Sequence, residues 1–234
     1  MDKTEFIQAL KNLNIQLTDK QLEQLNQYYQ LLVEWNKVMN LTGITEEKEV
    51  YLKHFYDSLT IARIIDLKKE NTLCDIGSGA GFPGMVLKIV FPNLKITLVD
   101  SLQKRITFLN EVVKQLDLKN IELVHARAED FAKNNREKYD VVTARAVAPI
   151  NILIEYCLPL IKVGKYFIPM KGNISREINL LDNSLKKIDG ILLKRDEFLL
   201  PKEDSNRSLL LITKKNSTLK KYPRNPKEIK NKPL

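Results

Sequence analysis

The length and composition of the chain are those of a folded protein with one large hydrophobic core. It has 234 residues, of which 44% are hydrophobic, and this excludes an intrinsically disordered chain. No apolar run approaches the length of a membrane span, and residues 1–5 lack the apolar stretch of a signal peptide. Cys74 and Cys157 lie in apolar segments without metal-ligand spacing, so we expect a cytoplasmic protein that binds neither a membrane nor a metal.

The net charge of +9 is concentrated at the carboxyl terminus. From Lys214 onward the chain has eight basic residues and one acid, which is +7 and leaves only +2 for the rest. A local cluster of cations raises affinity for a polyanion because binding releases counterions. We therefore predict that residues 216–234 form a basic tail that contacts nucleic acid. The alternatives are a solvated tail without a partner and, less favoured because the tail has no apolar face, a membrane surface.

Residues 1–66 are predicted to form a helical extension packed on the core. A capping-box pattern begins at Thr18, and apolar side chains then recur every three or four residues up to Met39. A further helix is predicted to begin near Thr45. Three of its polar residues share one face at positions i, i+3 and i+4: His54, Asp57 and Ser58. By residue chemistry alone, an ordinary His–Asp pair on the surface is the favoured interpretation.

From residue 67 to residue 215 the pattern alternates between strands and helices. Seven apolar, β-branched runs predict strands: 73–76, 95–100, 121–125, 139–144, 164–170, 191–200 and 209–213. Helices are predicted between them: 84–91, 102–116, one that follows Pro149, and 174–187. This alternation predicts an α/β, Rossmann-like fold, an open and mostly parallel sheet with helices on both faces and a closing hairpin.

The turn after the first strand gives the strongest local signal. The chain has eight glycines, and four of them follow this strand: Gly77, Gly79, Gly81 and Gly84. Glycine adopts positive φ and lets a ligand approach the backbone, so we expect a nucleotide-like cofactor here.

Two cofactor classes compete for this turn. Its glycine spacing fits the dinucleotide fingerprint, but Asp75 would meet a pyrophosphate with like charge. A carboxylate suits the ammonium and sulfonium groups of S-adenosylmethionine, so we predict that Asp75 faces the ammonium and that the glycines shape the methionine pocket. At the end of the second strand, Asp100 is predicted to bind the ribose hydroxyls in either class, with Ser101 beside it.

Ligands of such sheets bind outside the carboxyl ends of the strands, which adds three segments to the site. Ala128 and Glu129 follow the third strand and can contact an adenine edge, although an ordinary helix cap fits equally well. Arg145 follows the fourth strand and could hold a phosphate or pair with a carboxylate. Lys171 follows the fifth strand and is a further candidate phosphate contact.

The sequence offers no catalytic nucleophile or general base. The segment 143–149 lacks both the Asn/Asp-Pro-Pro-aromatic turn typical of adenine-amine methylation and the cysteine that pyrimidine-carbon methylation needs. Guanine N7 carries a lone pair and no proton, so its methylation requires alignment alone. We therefore predict no catalytic side chain.

Over nearly its whole length the chain resembles the ribosomal RNA small-subunit methyltransferase G family, also called glucose-inhibited division protein B. The shared segments are Asn-Leu-Thr (40–42), His-x-x-Asp-Ser-Leu (54–59), Asp-Ile-Gly-Ser-Gly-Ala-Gly-Phe-Pro-Gly (75–84), Asp-Ser-x-x-Lys-Arg-x-x-Phe-Leu (100–109), Arg-Ala-Glu (127–129), Ala-Arg-Ala-Val-Ala (144–148), Lys-Gly (171–172) and Tyr-Pro-Arg (222–224). The resemblance implies methylation of N7 of one guanine in a loop of 16S rRNA of the small ribosomal subunit, with S-adenosylmethionine as methyl donor.

The resemblance also implies roles for individual residues. Five positions match the family's cofactor contacts: Gly77, Phe82, Ala128, Glu129 and Arg145. Four are candidate RNA contacts: His54, Arg145, Lys171 and Arg224. We expect a monomer. An NAD-dependent oxidoreductase and a non-catalytic RNA-binding protein of the same fold remain the alternatives.

Overall fold

The computed structural model describes residues 1–234, which form seven strands and ten α-helices. The strands are β1 (Thr72–Ile76), β2 (Lys95–Asp100), β3 (Ile121–His125), β4 (Tyr139–Arg145), β5 (Ile161–Lys171), β6 (Gly190–Leu199) and β7 (Asn206–Lys214). The helices are α1 (Lys3–Lys11), α2 (Asp19–Met39), α3 (Glu47–Glu49), α4 (Asp57–Leu59), α5 (Gly84–Val90), α6 (Gln103–Gln115), α7 (Ala128–Asn134), α8 (Ile150–Cys157), α9 (Ile178–Ile188) and α10 (Pro226–Asn231). None of these helices has the length and apolar character that crossing a bilayer requires.

The strands form one sheet in the order β3-β2-β1-β4-β5-β7-β6. Pairing among β1 to β5 is parallel, and β7 is antiparallel to both of its neighbours. The prediction of a mostly parallel sheet closed by a hairpin is therefore confirmed. The strand order reverses between β1 and β4, and in open α/β sheets ligands bind at this switch point.

Each face of the sheet is covered by one hydrophobic core. On one face, α1 and α2 pack with α5 and α6 around side chains such as Tyr28 and Leu98. On the other face, α8 and α9 pack with the carboxyl-terminal segment, which contributes Tyr222 and Leu234. The helical extension is thus continuous with the core of the sheet.

The helical segment that follows α3 is partly a π-helix, at Val50–Tyr56, and continues into α4. A π-helix changes which side chains share a face, and this one is buried on most sides. His54, Asp57 and Ser58 are 8%, 3% and 0% exposed. The prediction of a surface His–Asp pair is therefore wrong, because these residues point into the protein.

Residues 216–234 pack against the protein instead of extending into solvent. Thr218 and Tyr222 are buried, and Arg136 donates hydrogen bonds to the carbonyl oxygens of both. Lys214, counted above among the basic residues of this end, is 1% exposed and pairs with Glu137 at 3.2 Å. Five lysines of this segment, and Lys215 immediately before it, are exposed. The five are Lys220, Lys221, Lys227, Lys230 and Lys232.

Candidate active site

The glycine turn after β1 is held by backbone hydrogen bonds to the neighbouring strand. The amides of Gly77 and Ser78 donate to the carbonyl oxygen of Val99 in β2, at 2.8 and 3.1 Å. Gly77, Gly79 and Gly81 have φ values of 71°, 60° and 100°, which residues with a Cβ adopt only with strain. The sequence prediction of a strand, glycine turn and helix is confirmed.

Helix α2 contacts this glycine turn through a buried tyrosine. The Tyr28 hydroxyl donates to the carbonyl oxygen of Ala80 at 2.5 Å. Burial raises the pKa of Tyr28 well above its usual value, so the hydroxyl keeps its proton and remains a donor. A Cβ at Gly81 would lie 2.6 Å from the same hydroxyl oxygen, which leaves room only for glycine. The amino-terminal extension therefore shapes the turn.

A cavity of about 350 Å³ opens beside the turn, and we call it the cofactor cavity. Its lining includes five predicted cofactor residues: Gly77, Asp100, Ser101, Ala128 and Glu129. It also includes Arg105, Arg127, Ala146, Val147 and Tyr156, which were not predicted to be there. The carboxyl ends of β1, β2, β3 and β4 thus bring together residues that are up to about 70 positions apart in the sequence, such as Ile76 and Val147.

Asp100 is the central acid of the cofactor cavity. Its Oδ2 accepts from the Gly79 amide at 2.8 Å and from Arg105 Nη1 at 3.1 Å. Its Oδ1 accepts only from the Leu102 amide, at 2.9 Å, and has a second lone pair available. This carboxylate therefore both orders the glycine turn and can accept a hydrogen bond from a bound hydroxyl group.

Glu129 lies in the first turn of α7 and is 3% exposed. Its Oε1 accepts from Nε of Arg127 at 2.9 Å. Both cations of the cavity, Arg105 and Arg127, are thus paired with its two acids. Because each guanidinium neutralises one acid of the cavity, no net positive charge remains there for the pyrophosphate of a dinucleotide.

Five predicted cofactor residues do not line the cofactor cavity: Asp75, Gly79, Gly81, Phe82 and Arg145. Asp75 has no exposed surface, and its Oδ2 accepts from the Gly84 amide at 2.9 Å, so it holds the first turn of α5. Asp75 therefore contacts the backbone at the start of α5, and its predicted contact with the ammonium group stays a prediction. Burial raises the pKa of Asp75 to about 7, and its Oδ1 has no hydrogen-bond partner.

Phe82 lies between the turn and the helical extension. Its ring stacks on the ring of His54, with centroids 4.3 Å apart and an interplanar angle of 16°, and the Arg145 guanidinium lies 5.4 Å from its centroid. The ring of Tyr28 also packs against it, with centroids 5.5 Å apart. Phe82 therefore connects the glycine turn to a second cavity instead of lining the first.

This second cavity has a volume of about 320 Å³, and we call it the acceptor cavity. It is lined by three predicted RNA contacts, His54, Arg145 and Lys171, and by Asp57, Ala146, Met170, Gly172 and Arg207. Ala146, which has a φ of 57°, lines both cavities. The two cavities therefore meet at the end of β4, next to the switch point of the sheet.

Asp57 binds two arginines in the acceptor cavity. Its Oδ2 accepts from Arg145 Nη1 at 2.9 Å, and its Oδ1 accepts from Arg207 Nε at 2.8 Å. Arg145 also donates to the carbonyl oxygen of Lys53 at 3.0 Å. One carboxylate of the helical extension thereby fixes guanidinium groups from β4 and β7. Arg145 belongs to this cavity and not to the lining of the cofactor cavity.

His54 is an uncharged member of the acceptor cavity. Burial, and secondarily the adjacent Arg145, lower the pKa of His54 to about 3. Its Nε2 lies 3.0 Å from Thr42 Oγ1, and its Nδ1 lies 3.3 Å from Arg145 Nη2. A group with so low a pKa is a poor general base near neutral pH.

The remaining two predicted RNA contacts differ in their placement. Lys171 pairs with Glu177 at 3.0 Å and donates to the carbonyl oxygen of Ala148 at 3.2 Å, at the mouth of the acceptor cavity. Arg224 lines neither cavity and forms a salt bridge of 2.6 Å with the fully buried Glu155. The structure therefore gives Arg224 a contact within the protein.

Sequence reasoning missed Arg207. It follows Asn206, the first residue of the antiparallel strand β7, and the next residue, Ser208, pairs with Lys171 of β5. An antiparallel last strand begins at the edge where the parallel strands end, so its first residues reach the site. The hairpin itself was predicted, and applying this rule to it would have found Arg207.

No group of three or more His, Cys, Asp or Glu side chains in the described chain could hold a metal ion. The fold resembles those of several solved structures. M. jannaschii TYW2 in complex with AdoMet has a TM-score of 0.52 at 15% identity, covering 61% of this chain and 68% of that one. A SAM-dependent O-methyltransferase from Thermotoga maritima has a TM-score of 0.53 at 16% identity, covering 77% and 70%. At such identities the likeness concerns the fold alone.

Relatives that are similar in sequence extend over nearly the whole chain. Ribosomal RNA small subunit methyltransferase G of Oceanobacillus iheyensis is 51% identical over 227 residues, which cover 96% of this chain and 95% of that protein. The protein of the same name from Exiguobacterium sibiricum is 48% identical over 227 residues, with the same coverage. The profile of the family described as rRNA small subunit methyltransferase G matches residues 21–201. Neither the oxidoreductase nor the non-catalytic alternative is favoured by these matches. The chain belongs to the rRNA small subunit methyltransferase G family.

Proposed function

We propose that this protein transfers a methyl group from S-adenosylmethionine to N7 of a guanine in 16S rRNA of the small ribosomal subunit. The observation that carries this proposal is the pair of cavities that meet at Ala146. One offers acids suited to a nucleoside, and the other offers cations suited to RNA. The names of the relatives supply the class of RNA.

The residues of the cofactor cavity fit S-adenosylmethionine. Oδ1 of Asp100 can accept from a ribose hydroxyl, and Ala128 with Glu129 lies where the adenine would bind. The glycine turn leaves open space beside Gly79, where a methionine group can approach the backbone. When bound, the cofactor supplies an electrophilic methyl group on its sulfonium sulfur.

The acceptor cavity favours an atom that needs no deprotonation. His54 is uncharged with a pKa of about 3, and both Asp57 oxygens accept from arginines. Neither group is suited to removing a proton near neutral pH. Guanine N7 has a free lone pair, so the protein contributes by holding N7 in line with the methyl group. This supports N7 over an exocyclic amine or a ring carbon.

RNA binding is supported by charge at two places. Arg145 and Lys171 lie in the acceptor cavity, and the exposed lysines of residues 215–232 add a positive surface. Such cations bind phosphates with a strong dependence on salt. The protein is expected to act as a monomer in the cytoplasm, and Arg224 remains a predicted RNA contact only if its pairing with Glu155 opens.

The proposal is tested by transfer of a labelled methyl group to rRNA. Purified 16S and 23S rRNA and small subunits from cells lacking the gene are incubated with methyl-labelled S-adenosylmethionine. We expect label in 16S rRNA or the small subunit and none in 23S rRNA. The Asp100→Ala variant, a control for cofactor binding, should lose label and bind S-adenosylmethionine weakly by calorimetry. Tight cofactor binding without label in any RNA would refute the proposed substrate.

A further inference from the structure

The acceptor cavity has more positive charge than a neutral base requires. Three cations lie there, Arg145, Lys171 and Arg207, and they contact two carboxylates, those of Asp57 and Glu177. The net charge of this group is therefore +1. A nucleobase is uncharged, whereas a nucleotide carries one negative charge on each phosphodiester. The surplus cation thus matches one phosphate.

Arg207 has a terminal nitrogen without a hydrogen-bond partner. Its Nε is held by Asp57, and its Nη1 donates to Ser205 Oγ at 2.7 Å and to the Asn206 carbonyl oxygen at 2.9 Å. Its Nη2 donates to no acceptor of the protein, although the side chain is only 20% exposed. By contrast, Nη2 of Arg145 lies against His54, and Lys171 is paired with Glu177.

The orientation of Arg207 is fixed before any ligand binds. Asp57 is 3% exposed and reaches Arg207 from the helical extension, 150 residues earlier in the chain. A guanidinium held at Nε by a buried carboxylate and at Nη1 by two further acceptors presents Nη2 in a set direction. Such preorganisation lowers the entropy cost of binding a phosphate.

We propose that Arg207 binds a phosphate of the target nucleotide through Nη2 while Asp57 holds its Nε. This inference rests on the proposed function for the nature of the substrate. It assigns to the closing hairpin a binding role that is separate from transfer of the methyl group. The base then occupies the part of the cavity nearer Ala146 and Met170.

The first test compares binding of guanosine 5′-monophosphate and guanosine, measured by NMR titration of the protein with S-adenosylmethionine bound. The wild type should bind the monophosphate about tenfold more tightly, the effect of one charged hydrogen bond. Arg207→Gln should bind both compounds equally. Arg195→Gln, which changes an exposed arginine of the same hairpin that pairs with Glu197, should keep the wild-type preference.

A second variant at the same position controls for the possibility that Arg207→Gln does not fold. Arg207→Lys keeps a charge beside Asp57 but has a single nitrogen, which Asp57 holds, so the preference for the monophosphate should again fall. Thermal unfolding identifies which variants are folded. The inference is overturned if the wild type shows no preference, or if a folded Arg207 variant keeps it. These measurements need no methyl transfer. Failure of the phosphate-binding inference can therefore be distinguished from failure of the proposed reaction.

With RNA as substrate, removal of the Arg207 guanidinium has a second signature. The slope of log KM against log salt concentration should become shallower by about 0.7 to 0.9 in Arg207→Gln, because one phosphate is no longer neutralised. KM for RNA should rise about tenfold at constant affinity for S-adenosylmethionine. An unchanged slope would contradict binding of a phosphate by Arg207.

Discussion

At the scale of single residues, the glycines of the turn differ in why they are needed. Gly79 has a φ of 60° and nothing within 4 Å of an added Cβ, whereas Gly81 has a φ of 100° and would place a Cβ 2.6 Å from Tyr28 Oη. Gly79→Ala should lower the free energy of unfolding by about 1 to 2 kcal/mol, the cost of the left-handed conformation. Gly81→Ala adds a clash with buried groups and should cost clearly more. Urea unfolding of both variants measures this order, and equal costs would contradict it.

Asp75 should make stability depend on pH. Its pKa is raised from 3.8 to about 7 by burial, so between these values the folded state binds more protons than the unfolded state. The free energy of unfolding therefore falls as pH rises through this range, and the loss is complete above about pH 7. Asp75→Asn keeps an acceptor for the Gly84 amide and removes this loss, which at 1.36 kcal/mol per pKa unit is on the order of 4 kcal/mol at most.

The measurement for Asp75 is urea unfolding of the wild type and the variant without ligand, at pH 5 and pH 8. We expect the variant to gain stability relative to the wild type between the two pH values. A stability difference that is the same at both would show that the carboxyl group ionises normally.

At the scale of secondary-structure elements, the local sequence pattern predicts the strands well, whereas features that depend on tertiary packing could not be predicted from it. The predicted limits of β2 and β3 are those observed. Strand β2 is buried along nearly its whole length, as expected inside a parallel sheet, whereas β3 is an edge strand in which Glu122 and His125 are exposed. The π-helix at Val50–Tyr56 and the short helix α10 were not predicted, since packing against the core stabilises them more than their own sequence does. The Asp57–Arg207 pair could not be predicted from spacing, because only the folded sheet brings these residues together.

Helix α2 should influence cofactor binding through one hydroxyl group. Tyr28→Phe removes the hydrogen bond to the Ala80 carbonyl and leaves this buried acceptor without a partner, which should cost about 1 to 3 kcal/mol of stability. The glycine turn then loses its support, so the dissociation constant for S-adenosylmethionine should rise several-fold. Tyr29→Phe is the matched control, because its hydroxyl contacts only the Thr45 carbonyl, at 3.3 Å, away from the turn. Calorimetry that finds equal affinities for the two variants would exclude this role of Tyr28.

At the scale of the whole molecule, the helical extension and the carboxyl-terminal segment cover opposite faces of one sheet, and the site lies at the edge between them. Composition predicted where the positive charge lies, but it did not predict that the segment bearing this charge, residues 216–234, packs against the core. Ile229 and Leu234 are buried, and Ser184 Oγ donates to the Leu234 carbonyl at 3.1 Å. Deleting residues 216–234 would therefore disturb the core as well as the charge.

The contribution of this segment to RNA binding is better tested by neutralising its exposed lysines. The variant carries glutamine at four positions: Lys220, Lys221, Lys227 and Lys230. The slope of log KM for RNA against log salt concentration should become shallower, by up to about 0.7 to 0.9 for each phosphate that a lysine no longer neutralises. The control replaces four exposed lysines elsewhere: Lys11, Lys20, Lys95 and Lys114. If both variants change the slope equally, the carboxyl-terminal lysines have no special role.

The central claim concerns the atom that receives the methyl group, and nucleoside analysis tests it most directly. Small subunits from cells lacking the gene are methylated by the purified protein, and the RNA is digested and examined by mass spectrometry against synthetic standards. Both cavities and the absence of a general base predict one N7-methylguanosine per 16S rRNA. Methylation of an exocyclic amine, a ring carbon or a ribose hydroxyl would contradict this account of the acceptor cavity.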